Sequence, residues 1–184
     1  MKEVVPTMSK IPFFALALFV FPVLAHAKLG APTQSNVEFV ALGPAGLKIV
    51  GKSSALALRD EETVYVAGIP AGSFSTGISL RDNHTRKALE ADKHPNIEVL
   101  LPKAGIKLPA SGESSGDVDG TVKLHGVSRP AKVHYSAKAE GGSVKIHSTL
   151  RVNVKDFGIE PPSYLGVTVK PEIDLTVDFT SPNN

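Results

Sequence analysis

The chain contains no cysteine and no tryptophan, and aromatic residues make up only 6% of it. Without thiols there is no disulfide framework, no thiolate chemistry and no cysteine for lipid attachment. With so few aromatics, any core must be mainly aliphatic. Charge of one sign is lacking as well. A formal net charge of +2 over 184 residues speaks against nucleic acid or an anionic membrane surface as the main partner. The apolar run Ile11 to Leu24 falls short of the roughly 18 residues that read as a membrane span. Lys2 and Lys10 precede it and Ala25-His26-Ala27 closes it, so it reads as a secretory signal with cleavage after Ala27. Met8, just ahead of Ser9 and Lys10, is an alternative start that gives a shorter basic head.

A leader of residues 1–27 leaves 28–184 as a single domain, long enough for a real core. Of the 20 basic and 18 acidic residues, Lys2, Lys10 and Glu3 lie in the leader, so the remainder carries 18 against 17. An exported chain that does without disulfides suits a periplasm, and stable membrane insertion is not expected once the leader is gone.

What the chain does have is alternation. From Val144 to Val154 the even positions Val144, Ile146, Leu150 and Val152 interleave with Lys145, His147 and Arg151. Beyond Pro161-Pro162, Val167, Val169, Ile173, Leu175, Val177 and Phe179 interleave with Lys170, Asp174 and Asp178. Period two puts successive side chains on opposite faces, so this is an antiparallel pair with one dry and one wet face. The dry side is filled either by the protein's own side chains or by a bound ligand.

Elsewhere, residues 28–36 read as a loose leader into a short strand at Val37 and Phe39, with further strands around Leu47 and Ile49, Leu56 and Leu58, Val64–Ile69 and Ile97–Leu101. Leu80, His84, Ala88 and Leu89 recur at helical spacing behind Ser79 and Asp82 as candidate caps. Pro102 to Gly116 reads as an exposed loop, and strands Asp119–His125, Ala131–Ala139 and Ser143–Lys155 follow at close spacing. By parity the inward residues include Val37, Phe39, Leu58, Val64, Val66, Val99, Leu124, Tyr135, Ile146 and Leu175.

Candidate chemistry is sparse. Gly112-Glu113-Ser114-Ser115-Gly116 matches G-x-S-x-G, but it precedes a strand instead of joining a strand to a helix, so no nucleophile elbow and no catalytic residue are expected. His125, His134 and His147 lie on three successive strands, yet parity sets all three on the wet face, and no metal site is expected. No cofactor is required by anything in the sequence.

Three stretches stand out in order: Ser75-Thr76-Gly77-Ile78-Ser79-Leu80-Arg81-Asp82-Asn83-His84 leading to Lys93-His94-Pro95, then Gly120-Thr121-Val122-Lys123-Leu124-His125-Gly126-Val127-Ser128-Arg129-Pro130, then Asp156-Phe157-Gly158-Ile159. Together they resemble the YceI-like family of bacterial periplasmic lipid-binding proteins, with its T-G-x-x-x-R-D-x-H, G-V-T-x-P and D-F-G-I segments, from Val37 to Phe179. The family's aromatic pair after the first segment is replaced here by Ala88-Leu89 or neighbouring positions. The resemblance implies an all-β fold, an extended antiparallel lipocalin-like β-barrel of about eight strands with one short helix around residues 80–91. It also implies a long apolar pocket for an isoprenoid or fatty-acid-like chain. The inward residues Phe39, Leu58, Val66, Val99, Leu124, Tyr135, Ile146 and Leu175 would then line it, with Arg81, His84 and Tyr164 at its mouth. The expected function is non-enzymatic carriage or sequestration of a small amphiphilic ligand. The alternative is a solid-cored accessory module that binds a protein partner through its outer face, and the sequence leaves the oligomeric state open.

Overall fold

The computed structural model describes residues 28–164 and 167–183, with the side chains of Tyr164 and Val167 outside that description. The expected leader, residues 1–27, also lies outside it. In chain order the elements are β1 (Gln34–Leu42), β2 (Lys48–Ser53), β3 (Ala57–Asp60), β4 (Val64–Pro70), α1 (Ser79–Ala88), β5 (Asn96–Pro102), β6 (Glu113–Leu124), β7 (Val127–Glu140), β8 (Ser143–Asn153), β9 (Ser163–Tyr164), β10 (Val167–Thr168) and β11 (Glu172–Pro182).

Nine of the strands form one antiparallel sheet in the order β2-β1-β11-β8-β7-β6-β5-β4-β3, and β9 and β10 pair separately. Consecutive strands are neighbours nearly throughout, an up-and-down meander whose last strand returns to pair with its first. β2 and β3 stand at opposite edges of this sheet, yet only Ser54, Ala55 and Leu56 separate them. The link from Ser53 to Ala57 can reach at most about 14 Å, so the sheet has to curl until its two edges meet there. The edge of β2 is then satisfied by Ser75, which exchanges both backbone hydrogen bonds with Lys52, at 2.8 and 2.9 Å. Across the other end, the backbone N–H of Leu29 donates to the Asp60 carboxylate at 3.1 Å.

Register is written on the outer face. Glu38 and Lys52, Glu98 and Lys123, Asp117 and His134, Asp119 and Lys132, His147 and Asp178, and Arg151 and Asp174 are each directly opposed across neighbouring strands, the Lys and Arg pairs as ion pairs and the two His pairs as hydrogen bonds. A slip of one residue would set these charges against the core and the apolar set against water, so the pairs specify alignment more than they add stability.

The inner face holds two dry clusters. One gathers Val99, Val118, Val122, Leu124, Val133, Tyr135, Val144, Ile146 and Leu150 with Leu29 and Phe157, and the other gathers Val37, Ile69, Phe74 and Val177. Ile97, Leu175 and Phe179 pack against both.

Several expectations change. The stretch 28–36 is not loose: Leu29 is buried and bridges Asn183, and β1 begins at Gln34. The loop 102–116 is not fully exposed. Ile106 and Leu108 pack on the larger cluster, and the N–H of Lys107 donates to the Tyr135 hydroxyl at 2.8 Å. β6 starts at Glu113, so Ser114 is a strand residue whose hydroxyl donates to the Lys107 carbonyl at 2.5 Å.

Val66 is also displaced from its expected face. Cross-strand partners share a face, and Val66 opposes Arg59 and Leu100, whereas Tyr65, Ala67 and Ile69 supply the contacts to the inner clusters. β4 is apolar on both sides, so it has no polar residue to mark the phase.

Candidate functional site

The row Gly51, Phe39, Leu175, Leu150, Val133 and Val118 runs across six neighbouring strands on the inner face. Its members are not equally dry. Val133 is 1% exposed and Val118 4%, while Phe39 and Leu175 are only half-buried. One step along the strands, Ile49, Ile173 and Val152 face inward on β2, β11 and β8 and are again half-buried. Leu58, Ala67, Ile97 and Leu101 on β3, β4 and β5 have the same intermediate burial. These inward side chains keep some contact with solvent, and most of them also pack on the two dry clusters. Together they make an apolar wall on the inner face that is less dry than the clusters beside it.

The wall is shaped by a glycine. A Cβ on Gly51 would lie 2.2 Å from Cε1 of Phe39, so the absent side chain is what lets the phenyl ring lie flat across β2. The ring then meets Phe74 edge-on, with centroids 5.2 Å apart and planes at 67°. At the far end Tyr65 is buried beside the ion pair of Lys103 and Asp60, and the ammonium lies 5.0 Å from the ring centroid. Burial first, and the Asp60 charge second, push the Tyr65 phenol above its usual range.

Helix α1 has Ile78 as its N-cap residue and no side-chain cap. The expected cap Asp82 turns back instead, accepting from the Thr76 hydroxyl at 2.5 Å, the Thr76 N–H at 2.7 Å and the Ser75 hydroxyl at 3.0 Å. These bonds, the Thr76 hydroxyl foremost, hold its carboxyl below the usual carboxylate range. Arg81 serves the same loop, donating to the Thr76 hydroxyl at 3.0 Å and the Thr76 carbonyl at 3.3 Å. Arg81 thus anchors the helix start, and His84 is exposed on α1. Ala88 and Leu89 pack on the core, whereas Ile78 and Leu80 are 53% and 66% exposed.

Among the other residues expected to line a pocket, Val99, Leu124, Tyr135 and Ile146 lie deep in the larger cluster, and Phe39, Leu58 and Leu175 belong to the half-buried wall. The side chain of Tyr164 lies outside the described residues. Sequence reasoning missed Ile49 and Leu101, although Ile49 alternates with Lys48 in a way that could have marked it.

The three histidines separate. His134 pairs with Asp117 at 2.9 Å and His147 with Asp178 at 2.7 Å, both on the outer face as expected. His125 is not on a strand. It occupies the two-residue turn between β6 and β7, half-buried, with Nδ1 donating to the Phe157 carbonyl at 3.0 Å and its ring 5.0 Å from that of His94. Arg129 donates to the Asp156 carbonyl at 2.9 Å, so the three stretches singled out in the sequence converge at one corner of the barrel.

On the outer face, a groove of about 850 Å³ crosses β1, β11, β8, β7 and β6, lined by Lys138, Lys145, His147 and Asp178 among others.

A single curled antiparallel meander with one helix and an aliphatic inner face defines a lipocalin-like β-barrel fold. The chain belongs to the YceI-like family: residues 31–181 match the YceI-like domain. Relatives of similar sequence include a UPF0312 protein of Pseudomonas putida strain W619, 29% identical over 128 residues, covering 65% of this chain and 64% of the relative. A UPF0312 protein of Pseudomonas syringae pv. syringae is 28% identical over 131 residues, 67% of this chain and 64% of the relative. The chain thus spans just under two thirds of the length of the curated relatives it matches. Among solved structures, a polyisoprenoid binding domain from Saccharophagus degradans implicated in plant cell wall breakdown superposes with a TM-score of 0.69 at 16% identity, over 86% of this chain and 100% of that one. Burkholderia cenocepacia BcnA gives 0.62 at 13% identity, over 78% and 95%. At these identities the likeness is one of fold.

Proposed function

We propose that the protein is a non-enzymatic carrier or sequestering protein that holds the hydrocarbon chain of an isoprenoid or fatty-acid-like amphiphile inside the barrel. The half-buried inner wall of Phe39, Ile49, Ile173 and Leu175 carries this reading, because exposed aliphatic surface on the inside of a barrel is stabilised by an apolar guest. Each methylene transferred from water contributes about 0.8 kcal/mol, so a chain of a dozen methylenes needs no charged anchor. Family membership and the fold shared with a polyisoprenoid binding domain support the same ligand class. On this reading residues 1–27 are removed after Ala27 and the protein works in the periplasm.

Native mass spectrometry of protein exported under its own leader, followed by solvent extraction, tests the proposal. The expected result is one long-chain amphiphile per protein, with loading strongly reduced in Leu175→Glu and retained in the outer-face variant Lys145→Glu. A protein that carries no lipid and takes none up from detergent micelles would overturn it.

The outer groove favours a second reading, an accessory module that docks a protein partner across β6–β8. Charge reversal at Lys138 and Lys145 that leaves every co-purifying protein in place would remove it.

A further inference from the structure

The turn joining β6 to β7 breaks a local rule. Two-residue antiparallel hairpins favour turns with both central residues at positive φ, for which glycine or asparagine is the ordinary choice. The β7–β8 hairpin obeys, with Gly141 and Gly142. The β6–β7 hairpin instead places His125 at φ 52° ahead of Gly126, a left-handed conformation that costs a histidine free energy. Glu90, in the connection after α1, adopts φ 46°. These two strained residues face each other, with Nε2 of His125 3.7 Å from Oε2 of Glu90, and His94 completes the group.

We propose that Glu90, His94 and His125 form a binding site for a divalent transition metal ion of the zinc class. One ligand atom from each of the three lies within 4.8 Å of the others. Bonds of about 2.0–2.2 Å from a single ion to nitrogen and oxygen would draw these atoms together by small side-chain rotations. Two imidazoles and one carboxylate suit zinc, nickel, cobalt or copper over magnesium or calcium, which prefer all-oxygen shells. The tautomer is already set. A carbonyl oxygen only accepts, so the bond to Phe157 requires the proton on Nδ1 of His125, and in the neutral ring that makes Nε2, 3.7 Å from Glu90, the nitrogen free to bind a metal. A ligating imidazole characteristically donates its other N–H to such a carbonyl. Gly126 is needed for the approach of His94, since a Cβ there would come within 2.8 Å of Cε1 of that ring.

Lys93 already pairs with the carboxylate an ion would use. Its ammonium is 2.9 Å from Oε2 of Glu90, and at 72% exposure it can swing to water when an ion enters. With three protein ligands the fourth position is left to water. A bound ion would staple the connection following α1 to the β6–β7 hairpin, fixing one end of the covering helix against the barrel.

Titration calorimetry on untagged, chelator-treated protein with zinc, and with magnesium as the control, tests the site. The expected result is one zinc per chain, no heat with magnesium, and at least tenfold weaker zinc binding in His94→Ala and in His125→Asn, the latter chosen because asparagine tolerates the turn's positive φ. Lys93→Met, which removes the competing ammonium, should tighten zinc binding. The pair His134→Ala and His147→Ala should leave it unchanged, and thermal unfolding of each zinc-free variant confirms that it is folded. Zinc binding that is absent, that survives His94→Ala or His125→Asn, or that follows His134 and His147 would overturn the proposal, as would weaker binding in Lys93→Met.

Discussion

At the scale of single residues, the inner face contains positions of two kinds that substitutions can separate. Ile69 is fully buried between β4 and the smaller cluster, so Ile69→Ala should cost about 2–5 kcal/mol in urea-induced unfolding. Leu175→Ala removes as many methyl groups from a side chain that solvent already reaches, so it should cost clearly less while weakening ligand loading more. Equal stability losses at the two sites would mean that the interior is uniformly filled. Gly51→Val is a third probe. Valine suits a strand, so the expected loss of about 1–3 kcal/mol would report the collision with the Phe39 ring. Polar markers decide which of these residues can be found from sequence. Tyr135, Ile146 and Leu175 are framed by His134, His147 and Asp174 and fall on the expected face. Val66 sits in a run with no polar residue, and its face is settled only by pairing with Arg59 and Leu100.

At the scale of elements, α1 is held by its side chains more than by its propensity. Asp82 and Arg81 both close on Thr76, so the loop before the helix and the first turn of the helix are one unit. Asp82→Asn keeps the shape but loses the charged acceptor, and faster amide hydrogen exchange at Thr76 and through the first turn of α1 is the expected outcome. Exchange unchanged from the parent would show the helix to be held by Ala88 and Leu89 alone. The meander was legible because its strands alternate and its turns carry Gly-Gly and Gly-Pro signals. The first half of β6 was not. Glu113-Ser114-Ser115-Gly116-Asp117 has the composition of a loop and becomes strand only because β7 supplies the other half of its ladder. The corner where His94 meets His125 was equally hidden, because counting His125 in strand phase puts a turn residue on a face it does not have.

At the scale of the whole molecule, charge gives the fold a modest dependence on acid. Asp82, Glu90, Glu98, Glu140 and Asp174 are all held below their ordinary values, by the Thr76 hydroxyl, Lys93, Arg59, Lys145 and Arg151 respectively. Depressed carboxylates contribute stability that is complete above their unfolded values, near 3.9 for Asp and 4.3 for Glu, and is lost as pH falls through the folded ones. Because these groups are largely exposed, the thermal midpoint should be nearly flat above about pH 5 and decline modestly below about pH 4. Added salt should lower the plateau slightly, because most of these pairs are exposed. A midpoint that holds steady to pH 3 would contradict this. The pairing of β1 with β11, with Val37 opposite Val177, bears on how the molecule is made. The chain is synthesised from its amino terminus, so β1 is among the first strands to exist and its partner is the last. Until β11 is released, one edge of β1 has no ladder, and Val37 and Phe39 lack Val177 and Leu175 and have Ile69 and Phe74 to pack on. Contacts between the two ends of a sequence also form slowly. A chain in which β11 has not yet docked would present a bare strand edge, and in that state an apolar guest or a holding chaperone would have its readiest access to the interior.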